Sequence, residues 1–157
     1  MNERSLNSYL KAIYVLEESR QEASTINIAR ALNIASASVT EMIKKLAAVN
    51  YVTYSPYHGV TLTGKGKYLA RKCIRKHRLL ETFLKNILKL KNKETYTQAA
   101  ALEHSLSDTA DQQLCIFLSR PKEDPLDHRY IPHCIKKISC GQCLKENHGK
   151  VGKPEIY

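Results

Sequence analysis

The sequence predicts a mainly α fold with one small β-hairpin, arranged as an N-terminal helix-turn-helix with a wing and then a helical second domain. Three observations carry this. Ile28, Ala29 and Leu32 mark a short helix that breaks at Asn33-Ile34-Ala35, and Val39, Met42, Ile43 and Leu46 mark a second helix opening at Ser36. Both sets recur at about 3.6 residues, the period of an amphipathic helix. Two alternating runs follow, 51–54 and 60–62, joined by Ser55-Pro56-Tyr57-His58-Gly59, and read as a hairpin. Beyond residue 63 the apolar pattern is helical again.

The elements follow in order. A first helix is expected over 5–18, with Leu6, Tyr9, Leu10, Ile13, Tyr14 and Leu16 on its apolar face and Ser5 as N-cap. The second spans 25–32. The third starts near Ser36, with either Ser36 or Ser38 as its cap. Thr63-Gly64-Lys65-Gly66 closes the wing and leads into a long helix over 67–90, whose stripe includes Ile74, Leu79, Leu80, Phe83 and Leu84. Another helix is expected over 95–106, and Ser107-Asp108 caps a last one ending near 118. Cys73 and Cys115 fall on apolar patterns and are expected in the core. Residues 121–157 hold four of the five prolines and three cysteines and read as a loop-rich tail. The expected division is therefore 1–63, 64–120 and 121–157.

Composition narrows the function classes. The chain has 157 residues, 43% of them hydrophobic, enough for one or two small cores. No apolar run reaches the length of a membrane span and no signal-peptide pattern opens the chain, so a cytoplasmic protein without a membrane partner is expected. The net charge of +10 is localised. Residues 1–62 carry 6 Lys/Arg against 5 Asp/Glu, residues 63–91 carry 10 against 1, and residues 92–157 carry 9 against 9. A basic block beside a helix-turn-helix is the electrostatic footprint of phosphate contacts. The expected partner is an operator in double-stranded DNA. It would be read by Ser36, Ala37, Ser38, Thr40, Glu41 and Lys44 on the third helix, by Tyr57 and His58 in the wing, and by Lys65 in the basic run 65–78. Short hydroxyl side chains reach base edges without filling the groove. Two half-sites need two reading heads, so a homodimer joined through the helices between 95 and 118 is expected.

Metal-ligating residue types also cluster. His77 and Glu81 stand four apart, on one face of a helix, and Glu103 and His104 are adjacent on the next. Imidazole with carboxylate suits Fe²⁺, Mn²⁺ or Zn²⁺. Cys134, Cys140 and Cys143 have C-x5-C-x2-C spacing with His128 and His133 beside them, a candidate second site for Zn²⁺. No HExxH, phosphate loop or nucleophile elbow is present, so neither an enzyme nor a small-molecule substrate is expected.

The segments SYLKAIYVLEE, IARALNIASASVTEMIKKL, PYHGVTLTGKGKYLARKCIRKHRLLETFL and LEHSLSD together resemble the diphtheria toxin repressor and manganese-transport regulator family. The resemblance covers about 5–118. It implies a dimeric repressor of metal-uptake genes, activated by Fe²⁺ or Mn²⁺, with His77, Glu81, Glu103 and His104 as metal ligands; Fe²⁺ is expected ahead of Mn²⁺. Four positions depart from the family pattern. Ser8 stands for methionine or aspartate, Lys11 for a carboxylate of the manganese type, Tyr96 for a histidine of the iron type, and Ala100 for cysteine or glutamate. Lys11 brings positive charge to a cation site. The other reading is a DNA-binding regulator with a degenerate metal site, either constitutive or sensing through Cys134, Cys140 and Cys143.

Overall fold

A computed structural model describes residues 2–55 and 59–134. The element order is α1 (Glu3–Glu18), α2 (Thr25–Leu32), α3 (Ser36–Ala48), β1 (Val52–Ser55), β2 (Gly59–Leu62), α4 (Gly64–Asn86), α5 (Asn92–Leu102) and α6 (Asp108–Phe117). The two strands form one antiparallel hairpin with Val52 opposite Leu62 and Ser55 opposite Gly59.

The helix boundaries follow from capping. Asn2, not Ser5, caps α1, its side chain accepting from the Arg4 N–H at 3.0 Å. Ser24 caps α2, and Asn33 ends it in the left-handed conformation at φ 54 and ψ 49, which turns the chain toward α3. The expected serine cap of α3 is corrected. Ala35 is the N-cap and offers no side-chain hydrogen bond, so Ser36 and Ser38 lie inside the first turns. Thr63 caps α4 by accepting from the Gly66 N–H at 3.1 Å, so this helix begins and ends earlier than its apolar stripe suggests. Ile87 and Leu88 are exposed beyond its end.

The first core gathers Leu10 and Ile13 of α1, Ile28 of α2, Val39, Ile43 and Leu46 of α3, Val52 and Val60 of the hairpin, and Ala70 of α4. These side chains are the apolar periods of the sequence brought to one centre. Three contacts seat the wing on it. The Val60 N–H donates to the Ala23 carbonyl at 3.0 Å, the Leu62 N–H donates to Glu17 at 2.9 Å, and Gly66 lets α4 pass against the Tyr51 carbonyl. A smaller cluster of Leu80, Leu84 and Ala99 holds α5 on α4, with Phe83, Leu106 and Leu114 packed around it. Cys73 and Cys115 are half-buried rather than core. Residues 121–132 dock on α4, because buried Arg75 and Arg78 donate to the Pro132 and Tyr130 carbonyls at 2.7 and 2.5 Å. Asp124 closes the turn there by accepting from the Leu126, Asp127 and Arg129 N–H groups.

Candidate metal centre and nucleic-acid interface

The exposed face of α3 carries Ser36, Ala37, Ser38, Glu41 and Lys44, with Thr40 half-buried. Burial of Val39, Ile43 and Leu46 fixes which face that is. The Thr40 hydroxyl donates to the Ser36 carbonyl at 3.1 Å, a local bond that competes with outside partners. Lys65 is exposed, but its Nζ lies 3.3 Å from the Val49 carbonyl and 4.4 Å over the Tyr51 ring. Tyr57 and His58 lie outside the described residues.

Part of the basic run 65–78 faces inward, which corrects the expectation for Arg75 and Arg78. Arg75 and Arg78 are buried at 5% and 2% exposure, paired with Asp111 and Glu18. Lys72 and Lys76 both pair with Asp108, whose carboxyl they hold below its ordinary range. On α3 and the first turn of α4 the exposed cations are Lys44, Lys45, Lys65 and Lys67, the last two from the run itself. Counting charge along the chain does not separate ammonium groups facing water from guanidinium groups facing carboxylates. Lys45 is the one that reading passed over.

Three of the four expected ligands meet through His77. Its Nε2 is 3.1 Å from Glu81 one turn along α4, and its Nδ1 is 2.5 Å from Glu103 at the end of α5. His104 Nε2 is 3.5 Å from the other oxygen of Glu103. Glu103 and His104 lie in the turn after α5, not on the helix, and Glu103 is its C-cap. His77, Glu81 and Glu103 are all nearly buried. Burial alone favours the neutral His77 ring, but the two carboxylates outweigh it and raise its pKa. Burial likewise disfavours Glu103 as an anion, yet His77 and Lys11 hold its carboxyl below the ordinary range. Burial lowers His104.

The departures from the family pattern are visible around this cluster. Ser8 lines the same cleft of about 230 Å³, with Lys11, His77, Glu81 and Tyr96. Its hydroxyl donates to the Arg4 carbonyl, 3.0 Å away. Tyr96 packs edge-on against the His77 ring at 5.3 Å. Lys11 does more than bring charge near. Its Nζ donates to both oxygens of Glu103, at 2.7 and 2.8 Å.

Two imidazoles and two carboxylates make a donor set that fits a divalent first-row ion. In the described arrangement those donors face one another and Lys11. Among the described residues no three His, Cys, Asp or Glu side chains are gathered as a metal shell. Cys134 is half-buried, while Cys140 and Cys143 lie outside the described residues.

Residues 2–60 match the model of the iron dependent repressor N-terminal DNA binding domain. Residues 63–132 match that of the iron dependent repressor metal binding and dimerisation domain. The chain is 40% identical over 121 residues to an uncharacterized HTH-type transcriptional regulator, MJ0568, of Methanocaldococcus jannaschii, covering 76% of this chain and 97% of that one. It is 33% identical over 120 residues to the HTH-type transcriptional regulator MntR of Geobacillus thermodenitrificans, covering 76% of this chain and 84% of that one. The structure of the manganese regulator SloR superposes with a TM-score of 0.74 at 38% identity, over 82% of this chain and 60% of that chain. The chain thus spans about 60% of the length of that solved relative.

Proposed function

The chain belongs to the iron-dependent repressor family, and from that premise we propose that it is a metal-dependent transcriptional repressor that binds operator DNA as a homodimer. It is a regulator and not an enzyme, as the family consists of transcriptional regulators. The alternative of a constitutive or cysteine-sensing regulator is not favoured by these relatives. The observation that supports the reading is the chain of contacts from Glu81 through His77 and Glu103 to His104, reached from α1 by Lys11.

In this reading those four side chains would hold the ion, whose positive charge would tie α4 to the turn after α5. Metal has to favour the DNA-competent arrangement over the other for operator binding to respond. Two α3 helices then meet major grooves about 34 Å apart, or a multiple of that. Exposed Leu102 and Phe117, at the ends of α5 and α6, suit the dimer contact. No described helix is long and apolar enough to cross a membrane; a repressor on operator DNA would work in the cytoplasm.

The metal is divalent. The expected preference for Fe²⁺ is not supported by the relatives: the family model speaks of iron, but the solved relative is a manganese regulator. The donor set serves both ions. The test is binding to duplexes selected from a random library, with chelator and then with Mn²⁺ or Fe²⁺ restored. Chelator is expected to weaken binding at least tenfold and metal to restore it. Equal binding throughout would sink the reading.

A further inference from the structure

Lys11 is the residue the metal reading leaves unused. It sits on α1, in the DNA-binding domain, and reaches across to the C-cap of α5. Its ammonium takes both oxygens of Glu103, and its side chain is 17% exposed against 3% for Glu103. A surface lysine pairing with a surface acid would be unremarkable. Here one partner is nearly buried, and it is an acid that the proposed ion requires. Glu103 thus meets the Lys11 ammonium, one nitrogen of His77 and, at 3.5 Å, His104, while the other nitrogen of His77 meets Glu81.

We infer that Lys11 is a resident cation of this centre, which a divalent ion must displace from Glu103, so that Lys11 sets the metal concentration at which the protein responds. Two physical points support it. Lys11 occupies a site on each oxygen of Glu103, and His77 and His104 face the same two oxygens, so a metal competes with Lys11 for the acceptor sites that remain. An ammonium left beside a divalent cation repels it strongly where water is scarce. Displacement is feasible, because a lysine stem is flexible and the adjoining cleft of about 230 Å³ is lined in part by Asp124 and Asp127. The same contact links α1 to the end of α5, so metal arrival at Glu103 releases that link between the two domains.

The inference rests on the metal reading above, and the experiment separates the two. Mn²⁺ binding to the full chain is measured by electron paramagnetic resonance and calorimetry for wild type, K11M, K11R and E103Q, each checked for folding by circular dichroism. Methionine keeps the apolar stem and removes the charge, whereas arginine keeps the charge. K11M is expected to bind Mn²⁺ at least tenfold more tightly than wild type, K11R no more tightly than wild type, and E103Q far more weakly than either. Equal affinity in wild type and K11M, with E103Q impaired, overturns the role of Lys11 and leaves the metal site standing. Equal tightening in K11M and K11R shows that charge is not the cause and also overturns it. Absence of Mn²⁺ binding in all four chains overturns both readings.

Discussion

Arg78 on α4 and Glu18 in the last turn of α1 are joined at two points, Nη1 to Oε1 at 3.0 Å and Nη2 to Oε2 at 2.5 Å. The same guanidinium donates to the Tyr130 carbonyl, so one side chain fastens the DNA-binding domain, the long helix and the segment after α6. Arg78 is buried while Glu18 reaches solvent. Removing a buried partner costs about 3–5 kcal/mol when the remaining charge is trapped, and less when it can hydrate. R78M is therefore expected to lose about 2 kcal/mol in urea unfolding, and E18Q about 1 kcal/mol. An unchanged midpoint for R78M would show that the link carries no stability.

Gly66 and Gly64 make a contrasting pair at the start of α4. A Cβ on Gly66 would lie 1.9 Å from the Tyr51 carbonyl oxygen, whereas one on Gly64 meets nothing within 4 Å. Backbone cannot yield as a flexible side chain does. G66A is expected to destabilise by about 3 kcal/mol or more and to shift the wing, while G64A is neutral or stabilising by up to about 1 kcal/mol. Thermal unfolding of both variants decides it; equal behaviour would mean the α4 start is placed differently.

The helix order and the hairpin were legible because apolar period is local information. Val39, Ile43 and Leu46 announce the buried face of α3, and all three are buried. Helix ends were less legible, since capping turns on single bonds: Asn2 rather than Ser5, and no side chain at Ala35. The partners of charged residues were not legible at all. Arg75 finds Asp111 and Lys11 finds Glu103 across 36 and 92 residues, and only the folded chain brings them together. His77 and Glu81 could be paired from spacing, but placing Glu103 against His77 needed α5 packed on α4.

On the DNA side, Lys44 is exposed and ends no described ion pair, so its charge is available to phosphate. K44A is expected to weaken binding to all sequences alike and to reduce the slope of log affinity against log salt by about one. S38A, at an exposed hydroxyl on the same face, is expected to change which duplexes are preferred. Competition binding over a salt series reads both. If K44A left slope and affinity unchanged, α3 would not be the groove element.

Assembly should respond to the exposed apolar residues after α4. Leu102 is 44% and Phe117 53% exposed, and Phe117 still meets the Phe83 ring edge-on at 6.4 Å. The wild-type chain is expected to sediment as a dimer at micromolar concentration, and L102D together with F117D to shift it toward monomer with weakened DNA binding. A dimer untouched by both changes would place the interface elsewhere.

The last expectation concerns pH, and its sign differs with and without metal. With chelator present, His77 has a raised pKa, so its contribution to stability is complete below the ordinary imidazole value and is lost as pH rises through the raised one. Glu103 has a lowered pKa, so its contribution holds above the ordinary carboxylate value and is lost as pH falls through the lowered one. Both are present together in a weakly acidic window, at about pH 5–6. Stability in chelator should peak there and decline toward pH 8, and H77Q should flatten the alkaline decline. A metal-bound imidazole has to shed its proton, so stabilisation by Mn²⁺ should grow over the same rise in pH. Urea midpoints from pH 4 to pH 8, with chelator and with Mn²⁺, test both slopes. If the chelator curve ran flat through this range in wild type, the His77 and Glu103 contact would not be holding charge as the geometry requires.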